Sequence, residues 1–395
     1  MKINFSTKKA KNKILLTALL CFTLCSYAQQ SGIELKGVVK DGTNYTVPYA
    51  SISFTNKPKG TVSNEDGLFS LVIENHEVND TLIVNSMGYE PLKFKIQDYI
   101  NKKENVILLQ ESIVELSEIK LLSPADYVKN ALKNLKDNTI SSSHELTLLY
   151  RRASSEEKKA RFFVEHYMKI RDRGPSAIGI EAIEILHSRK SADYRFFKKK
   201  EFRHSVIPMT IRNPVRQHMP IKKITWKKTG DSSYGDEDVV IIEGKPKGQA
   251  SFKLFIGIDT YSIYRIENRA NNSLYVYKRN NSGKLHLSYH SRQWTSQEKI
   301  PLAMQKQLRK SINQIQATYK HEVFVLNVVT NKKKIKVNHQ EKAAKTDMAL
   351  LKVDYNASFW NNFIAPPDTK YFKKIKKEIE SNFGVPLEKQ FEIVN

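Results

Sequence analysis

Gly60-Thr61-Val62-Ser63-Asn64-Glu65-Asp66-Gly67-Leu68-Phe69-Ser70-Leu71-Val72-Ile73 is the stretch that decides the fold of the N-terminal region. The Asp-Gly pair at 66–67 is a tight-turn signal, because glycine adopts a positive φ at no steric cost. The residues after it are mainly apolar and β-prone, with Ser70 between them. The stretch therefore predicts a strand that begins at Leu68, directly after a turn.

The same alternation of short strands and turn residues extends in both directions, from Ile33 to Leu109. Turn residues such as Asp41-Gly42 and Pro58 separate the strands. The predicted strands cover residues 34–40, 49–54, 68–73, 81–85, 92–96 and 105–109. Such spacing is typical of an antiparallel sandwich in which each sheet has one apolar face. We therefore predict a β-sandwich over residues 33–110.

Five ordered segments of this region resemble one known family. They are Gly37-Val38-Val39, Val47-Pro48-Tyr49-Ala50-Ser51-Ile52, the 60–70 stretch, Asp80-Thr81-Leu82-Ile83-Val84 and Met87-Gly88-Tyr89. Together they resemble the carboxypeptidase-regulatory-like domain. The resemblance implies an accessory, transthyretin-like sandwich of seven-strand type that holds no peptidase site. It also implies an exported protein of a Bacteroidetes-type bacterium, since this module is abundant there, including in TonB-dependent outer-membrane receptors.

Residues 1–28 have the order of a secretory signal peptide: five lysines without an acid, an apolar run from Ile14 to Leu24, and small residues up to Ala28. The apolar run is too short for a membrane-spanning helix, which needs roughly 20 residues. Cys21 and Cys25 both lie in this segment, so we expect a mature chain from Gln29 without thiols or disulfides. We expect the protein to lie in the periplasm or at the outer membrane.

The net charge limits the choice of partners. The full sequence has a formal charge of +24, and removing five lysines from 65 basic residues leaves 60 against 41 acidic residues, a balance of +19. Outside the cytoplasm such a charge favours anionic lipid or envelope polysaccharide, and no nucleic acid is expected as a partner. Outer-membrane proteins are a further class of partner. The alternative interpretation is a basic, solvated surface.

The remainder of the chain reads as a connector and helix at 111–140, a β-rich domain at 143–365, and a C-terminal helix and tail at 366–395. The helices are predicted at 125–137 and 371–383 from apolar residues at helical spacing. Strands are predicted at 146–151, 160–170, 238–243, 250–256, 262–267, 273–279, 284–292, 322–329 and 349–355. Residues 178–186 fit either a helix or a strand, and residues 189–211 read as irregular. The fold class is therefore mainly β, with a larger curved antiparallel domain and a few flanking helices.

Residues 252–267 resemble strand pairs of the curved half-barrel of periplasmic lipoprotein carriers. A strand ends, an acidic turn follows at Asp259, and the chain returns as Ile263-Tyr264-Arg265-Ile266. The resemblance implies a concave β domain whose apolar interior holds a lipid or acyl chain.

A search for catalytic patterns yields no catalytic, cofactor-binding or metal-binding residue. The sequence contains no His-Glu-x-x-His, no Gly-x-Ser-x-Gly and no phosphate-binding loop. His286 and His290 are four apart on a predicted strand, which separates them by about 13 Å and prevents a shared metal. A Glu181 and Glu184 pair is a weak glycosidase pattern. No cofactor is expected.

Three further features have two interpretations each. Glu65 and Asp66 could ligate calcium, but two side chains fall short of the about 6–8 oxygens that calcium needs, so Asp66 is expected to brace its own turn. The aromatic and basic runs at 194–198 and 275–279 fit sugar or head-group binding, or else strands with one buried and one solvated face. We favour the second interpretation for both runs.

The sequence therefore predicts an exported, non-enzymatic binding or assembly protein that binds lipid or another anionic envelope component. Two alternatives stay open. One is an envelope hydrolase that carries the sandwich as an accessory domain, and the other is a structural or adhesion component.

Overall fold

The computed structural model describes residues 32–112, 122–197, 204–300, 302–307 and 313–394. The signal peptide predicted at 1–28, most of the connector at 113–121, and Lys198 of the first aromatic run lie outside the described residues. The described chain is mainly β, as predicted. It contains a small N-terminal pair of sheets, a large antiparallel sheet and a few helices.

The N-terminal region is a sandwich of a three-stranded and a four-stranded sheet. Its elements are β1 (Ile33–Asp41), β2 (Ser51–Phe54), β3 (Gly60–Val62), β4 (Leu68–Ile73), β5 (Thr81–Asn85), β6 (Leu92–Lys95), α1 (Ile96–Ile100) and β7 (Val106–Leu109). The strand orders are β4-β1-β7 and β3-β2-β5-β6. Apolar side chains of both sheets, such as Val39, Phe69, Ile52 and Val84, form one buried core. The predicted strand alternation produces this core because residues two apart share a face.

The turn before β4 is built as predicted, except for the residue that braces it. Gly67 has a φ of +74°. The Asn64 carboxamide oxygen accepts hydrogen bonds from the amides of Asp66 and Leu68, at 2.9 and 3.1 Å. The expectation that Asp66 braces the turn was wrong, because its carboxylate accepts a hydrogen bond from the Lys370 amide instead.

The large sheet has the strand order β10-β9-β8-β17-β16-β15-β14-β13-β12-β11, and all neighbours are antiparallel. Its strands are β8 (His144–Glu156), β9 (Lys159–Asp172), β10 (Ile180–Lys190), β11 (Ile224–Tyr234), β12 (Glu237–Pro246), β13 (Phe252–Gly257), β14 (Ile263–Asn268), β15 (Ser273–Arg279), β16 (Leu285–Lys299) and β17 (Gln314–Val329). The helices outside the sandwich are α2 (Pro124–Asn138), α3 (Pro208–Ile211), α4 (Leu302–Gln307), α5 (Glu341–Lys345), α6 (Ala357–Asn362), α7 (Lys370–Phe383) and α8 (Leu387–Val394). Among the described residues, none of these helices has the length and apolarity required to cross a bilayer.

Both faces of the large sheet are covered. On one face, which we call the α2 face, Leu146, Leu148 and Tyr150 share a core with the buried side of α2. On the other, the sandwich face, Leu149 and Phe324 pack with Val62 of the sandwich and Trp360 of α6. Helices α7 and α8 cover the same strands further along, around Phe163.

One prediction about this region was wrong, one ambiguous stretch is resolved, and two elements were missed. Residues 349–355 are not a strand: Met348–Leu350 forms a 3-10 turn, because Met348 is buried in the α2-face core and the Asp347 carboxylate accepts from the Ala349 amide. The ambiguous stretch at 178–186 belongs to β10. Strand β11 and helix α8 were missed, and β11 is an edge strand whose polar, partly exposed residues lack apolar alternation.

The sandwich docks on the sheet through residues of the 60–70 stretch and of the loop before β2. The Glu65 carboxylate pairs with Lys320 Nζ at 2.6 Å, and the Tyr49 ring lies 4.9 Å from that of Tyr289. The Asn64 amide donates to the carbonyl of Pro367 at 3.0 Å. Glu65, which was considered for calcium, therefore joins the sandwich to β17.

Beneath this contact lies Glu322, a buried carboxylate whose charge is poorly compensated. Tyr289 Oη donates to its Oε1 at 3.0 Å, whereas the Arg151 guanidinium stays 3.8 Å from Oε2. Burial, with a smaller contribution from the nearby Glu65, raises the pKa of Glu322 to about 7. The side chain is therefore neutral in the folded protein just below neutral pH.

We expect Glu322→Gln to stabilise the protein at alkaline pH. The usual pKa is 4.5, so the folded state binds the proton more tightly, and its stability falls as pH rises from about 4.5 to 7. The full cost above pH 7 is about 3 kcal/mol, at about 1.4 kcal/mol per pH unit. Urea unfolding at pH 8 should show Glu322→Gln gaining about 3 kcal/mol, with a gain below about 1 kcal/mol at pH 5.

The exposed Glu104 supplies the control, since Glu104→Gln should leave the unfolding free energy unchanged at both pH values. A Glu322→Gln protein that is less stable than the parent at pH 8 would show that the Arg151 attraction outweighs the cost of burying the charge.

Candidate functional site

The sandwich and the large sheet enclose a cleft of about 560 Å³, which we call the main cleft. Its sandwich wall comes from β2, β5 and β6. Its sheet wall comes from the β11–β12 turn, the turn before β14 with the start of β14, and the end of β15 with the turn that follows it. The lining residues are Ser51, Ser53, Phe54, Thr55, Ile83, Asn85, Lys93, Tyr234, Gly235, Asp236, Glu237, Asp259, Thr260, Tyr264, Lys278, Arg279, Asn280 and Asn281. The cleft is therefore polar, with a few aromatic and aliphatic surfaces.

The sandwich wall follows from the alternation of β2. Ile52 points into the sandwich core, so Ser51 and Ser53 point out of it, into the main cleft. Their hydroxyl oxygens lie 3.2 Å apart. This wall thus presents neutral hydrogen-bonding groups to a ligand.

The sheet wall holds a cluster made of Glu237, Tyr264 and Arg279. Tyr264 Oη donates to the Glu237 carboxylate, and Arg279 Nη2 lies 3.2 Å from the same carboxylate and contacts Tyr264 Oη. Burial, followed by the hydrogen bond to Glu237, raises the pKa of Tyr264 to about 12, which keeps the phenol protonated. Gly257 makes room for this carboxylate, because an added Cβ would stand 2.2 Å from Glu237 Oε1. Glu237 and Arg279 therefore compensate each other.

Lys278 differs from its neighbours because its charge has no partner. It lies at the end of β15 and is partly buried, and its ammonium group makes no hydrogen bond or ion pair with any residue that the structure describes. Burial lowers the pKa of Lys278 to about 8. The ammonium group is thus charged at neutral pH and open to an anionic group within the cleft.

A side pocket of about 130 Å³ opens beside Lys278. It shares Ser53, Lys278, Arg279, Asn280 and Asn281 with the main cleft. Its other lining residues are Lys57, Pro58, Lys59, Gly60, His286, Val325, Leu326, Asn327, Val328 and Thr330. Within the described part of the chain, therefore, no carboxylate lines this pocket.

The structure places the residues considered in the sequence as follows. His286 borders the side pocket, whereas His290 Nε2 lies 3.1 Å from His321 Nε2 inside the sheet. No cluster of three or more potential metal ligands occurs among the described residues. Glu181 pairs with Arg173, and the Glu184 carboxylate accepts hydrogen bonds from Asn338, so these two carboxylates serve neighbouring segments.

The two aromatic and basic runs have different roles. Tyr275 and Tyr277 are core residues of the α2 face, as favoured, but Lys278 and Arg279 line the main cleft rather than a solvated surface. In the first run, Arg195 is buried and pairs with Asp193 at 2.8 Å and with Asp347 at 3.3 Å. Arg195 therefore has a structural role in the fold, whereas Lys278 and Arg279 of the second run contribute to the main cleft.

The expected lipid-binding interior corresponds to the α2 face, which is largely filled. Val128, Ala131 and Leu135 of α2 pack there against strand residues, together with Met209 and Met348. A cavity of about 450 Å³ remains near the end of α2, between Leu132, Val215 and Met219. The main cleft was missed because residues 51–93 and 234–281 approach each other only in the folded chain.

Comparison with known proteins identifies a family for the N-terminal region and a relative of part of the chain. Residues 35–121 match the CarboxypepD_reg-like domain family, which confirms the resemblance seen in the sequence. The chain is 26% identical over 117 residues to the TonB-dependent receptor SusC of Bacteroides thetaiotaomicron. That match covers 30% of this chain and 11% of the receptor, so the chain spans about a tenth of the length of this relative.

Solved structures similar to the chain cover about half of it. One is a putative outer membrane lipoprotein-sorting protein domain from Vibrio parahaemolyticus. The match covers 54% of this chain and 93% of that chain, with 8% identity and a TM-score of 0.29. Another is a LolA superfamily protein from Nitrosomonas europaea. The match covers 55% of this chain and 99% of that chain, with 9% identity and a TM-score of 0.26.

Proposed function

We propose that this chain is an exported, non-enzymatic binding protein of the bacterial envelope that holds an anionic envelope component in the main cleft. The observation that carries the proposal is the uncompensated ammonium group of Lys278, inside a cleft with walls from two structural units. A partly buried cation without a partner is unfavourable, and an anionic ligand group would compensate its charge.

The rest of the cleft suits a polar ligand with an acidic group. Ser51, Ser53 and Asn85 supply hydroxyl and amide groups, and Ile83 and Tyr234 supply apolar surface. Sugar rings and lipid head groups both combine these chemistries, since they carry hydroxyls and apolar C–H edges together. The sandwich family and the similarity to part of a TonB-dependent receptor support a place in the envelope.

Binding should depend on Lys278 and on pH. Calorimetric titration with an oligogalacturonate, and sedimentation with phosphatidylglycerol vesicles, test a carboxylated glycan and an anionic lipid in turn. We expect Lys278→Met to weaken binding of the active probe about 10-fold or more, because a hydrogen bond to a charged group contributes about 1.5–3 kcal/mol. The parent protein should bind more weakly at pH 9 than at pH 7, since the Lys278 amine loses its proton near pH 8.

Lys373→Met is the matched control, because Lys373 is an exposed lysine of α7 that lies away from the cleft. If Lys278→Met and Lys373→Met lose the same affinity, the ligand is attracted by the overall positive charge, and the main cleft is not the binding site. Undetectable binding of every anionic probe would also contradict the proposal.

A further inference from the structure

The side pocket has the charge of an anion site. Its lining brings together the cationic side chains of Lys57, Lys59, Lys278 and Arg279, and no described lining residue is acidic. Three of these cations have partners outside the pocket: Lys57 pairs with Glu77 and Asp80, Lys59 with Glu77, and Arg279 with Glu237. Lys278 is the cation left for an anion within the pocket.

A second group in the pocket also lacks a partner. His286 is 94% buried, its exposed fraction being 6%, and its Nδ1 has no hydrogen-bond partner among the described residues. His286 and Lys278 face each other across the β15–β16 pair, as directly paired residues. Because buried polar atoms are nearly always hydrogen-bonded, an unpaired ring nitrogen on the residue paired with Lys278 suits a ligand oxygen that bonds to both side chains.

The shape of the donor set favours a tetrahedral anion over a planar one. A carboxylate is best held by a guanidinium fork, but Arg279 already uses Nη2 for Glu237, Tyr264 and Ser262. The remaining donors are single groups on different walls: Lys278, His286, Ser53 and Asn327. Point donors from several directions suit a phosphate group, whose oxygens point in several directions as well.

We propose that the side pocket binds the terminal phosphate group of a ligand whose uncharged part extends into the main cleft. This inference rests on the proposed function, because the two cavities share Lys278 and four other lining residues. A phosphate oxygen would accept from Lys278 Nζ and from a ring N–H of His286. Phosphosugars and phospholipid head groups share this chemistry.

The test is calorimetric titration of the full chain at pH 7 with inorganic phosphate, glucose 1-phosphate, glucuronate and acetate, and sedimentation with phosphatidic acid vesicles. We expect phosphate to bind at least 10-fold more tightly than acetate. Lys278→Met and His286→Phe should each lose most of this affinity, and Lys373→Met should retain it. Ring ¹⁵N shifts of His286 should change on phosphate addition, which a purely structural histidine would not show.

The outcomes separate the two proposals. Tighter binding of glucose 1-phosphate identifies a phosphosugar ligand, and tighter binding of the vesicles identifies a lipid head group. Glucuronate binding that depends on Lys278, without phosphate binding, overturns the phosphate assignment and leaves the proposed function standing. If no probe binds, or if Lys373→Met loses as much affinity as Lys278→Met, both proposals fail.

Discussion

Acidification from pH 8 to pH 5.5 is expected to remove about 5 kcal/mol of stability through four buried histidines. They are His166, His286, His290 and His321. Burial lowers the pKa of His166 and of His290 to about 3, and it lowers the pKa of His286 and His321 well below the usual range. All four are therefore neutral in the folded protein at pH 5.5, whereas in the unfolded chain they take up protons below about pH 6.5.

The hydrogen bonds of this cluster also require neutral rings. His290 Nδ1 lies 2.8 Å from the Leu274 carbonyl, so it carries a proton and its Nε2 accepts. The donor is His321 Nε2, at 3.1 Å, and the other nitrogen of His321 faces Tyr150 Oη at 3.5 Å. A proton added to His290 would set its Nε2–H against that of His321, and a proton added to His321 Nδ1 would remove the acceptor that faces the Tyr150 hydroxyl.

The sign of the effect follows from linkage. Because the folded pKa values are lowered, the unfolded state binds more protons, and stability is lost as pH falls below about 6.5. Each histidine contributes about 1.4 kcal/mol at pH 5.5, and the proton taken up by Glu322 offsets about 2 kcal/mol of the total. Urea unfolding should thus show a net loss of about 3–4 kcal/mol in the parent protein and about 5 kcal/mol in Glu322→Gln.

The exposed His76 provides a control, since His76→Gln should reproduce the pH dependence of the parent. A parent protein as stable at pH 5.5 as at pH 8 would mean that these imidazoles already carry protons when folded.

Arg151→Met is expected to lower the free energy of unfolding by about 3–5 kcal/mol, because it leaves buried carboxylates without their counter-charge. Arg151 is 1% exposed and donates to Glu165 at 2.7 Å and to the Pro366 carbonyl at 2.9 Å. It also lies 3.3 Å from the carboxylate of Asp368. One side chain therefore links β8, β9 and the segment before α7.

The measurement combines urea unfolding with limited proteolysis. Arg151→Met should unfold at lower urea, and cleavage should begin near residues 366–370, where the arginine holds the chain. Arg173→Met is the matched control: Arg173 pairs with Glu181 in a partly exposed position, where such pairs contribute about 0–1 kcal/mol. A cost below about 1 kcal/mol for Arg151→Met would show that Arg189, the other partner of Glu165, suffices to compensate this site.

The sandwich was predictable because its signals are local. Gly67 adopts the positive φ that the turn needs, and the β-prone residues after it form strand β4. Neighbouring residues therefore specify each of these elements. Strand β10 was ambiguous, and β11 was missed because Lys227, Lys228 and Asp231 give an edge strand the composition of a loop. The local sequence pattern therefore predicts the inner strands of the large sheet better than its edge strands β10 and β11.

The candidate site was not predictable in the same way. Lys278 lies at the end of an alternating aromatic strand and looks like a solvated residue, and it joins a cleft only because Ser53 approaches from a distant part of the chain. His286 was considered for a metal because of its spacing from His290, yet its environment comes from β15 and β17. Such sites arise from tertiary contacts, which one sequence does not encode in a short motif.

The pairing of β8 with β17 gives the large sheet an unusual assembly order. The first and the last of its strands along the chain lie side by side, as the third and fourth of its ten strands, so that Tyr150 and His321 meet across 171 positions. Contacts of such high sequence separation slow folding, since a long loop must close before they form. Until β17 is synthesised and pairs with β8 and β16, each of these two strands has an unpaired edge that other chains can pair with. We therefore expect this protein to fold late and to need protection from self-association until β17 is in place.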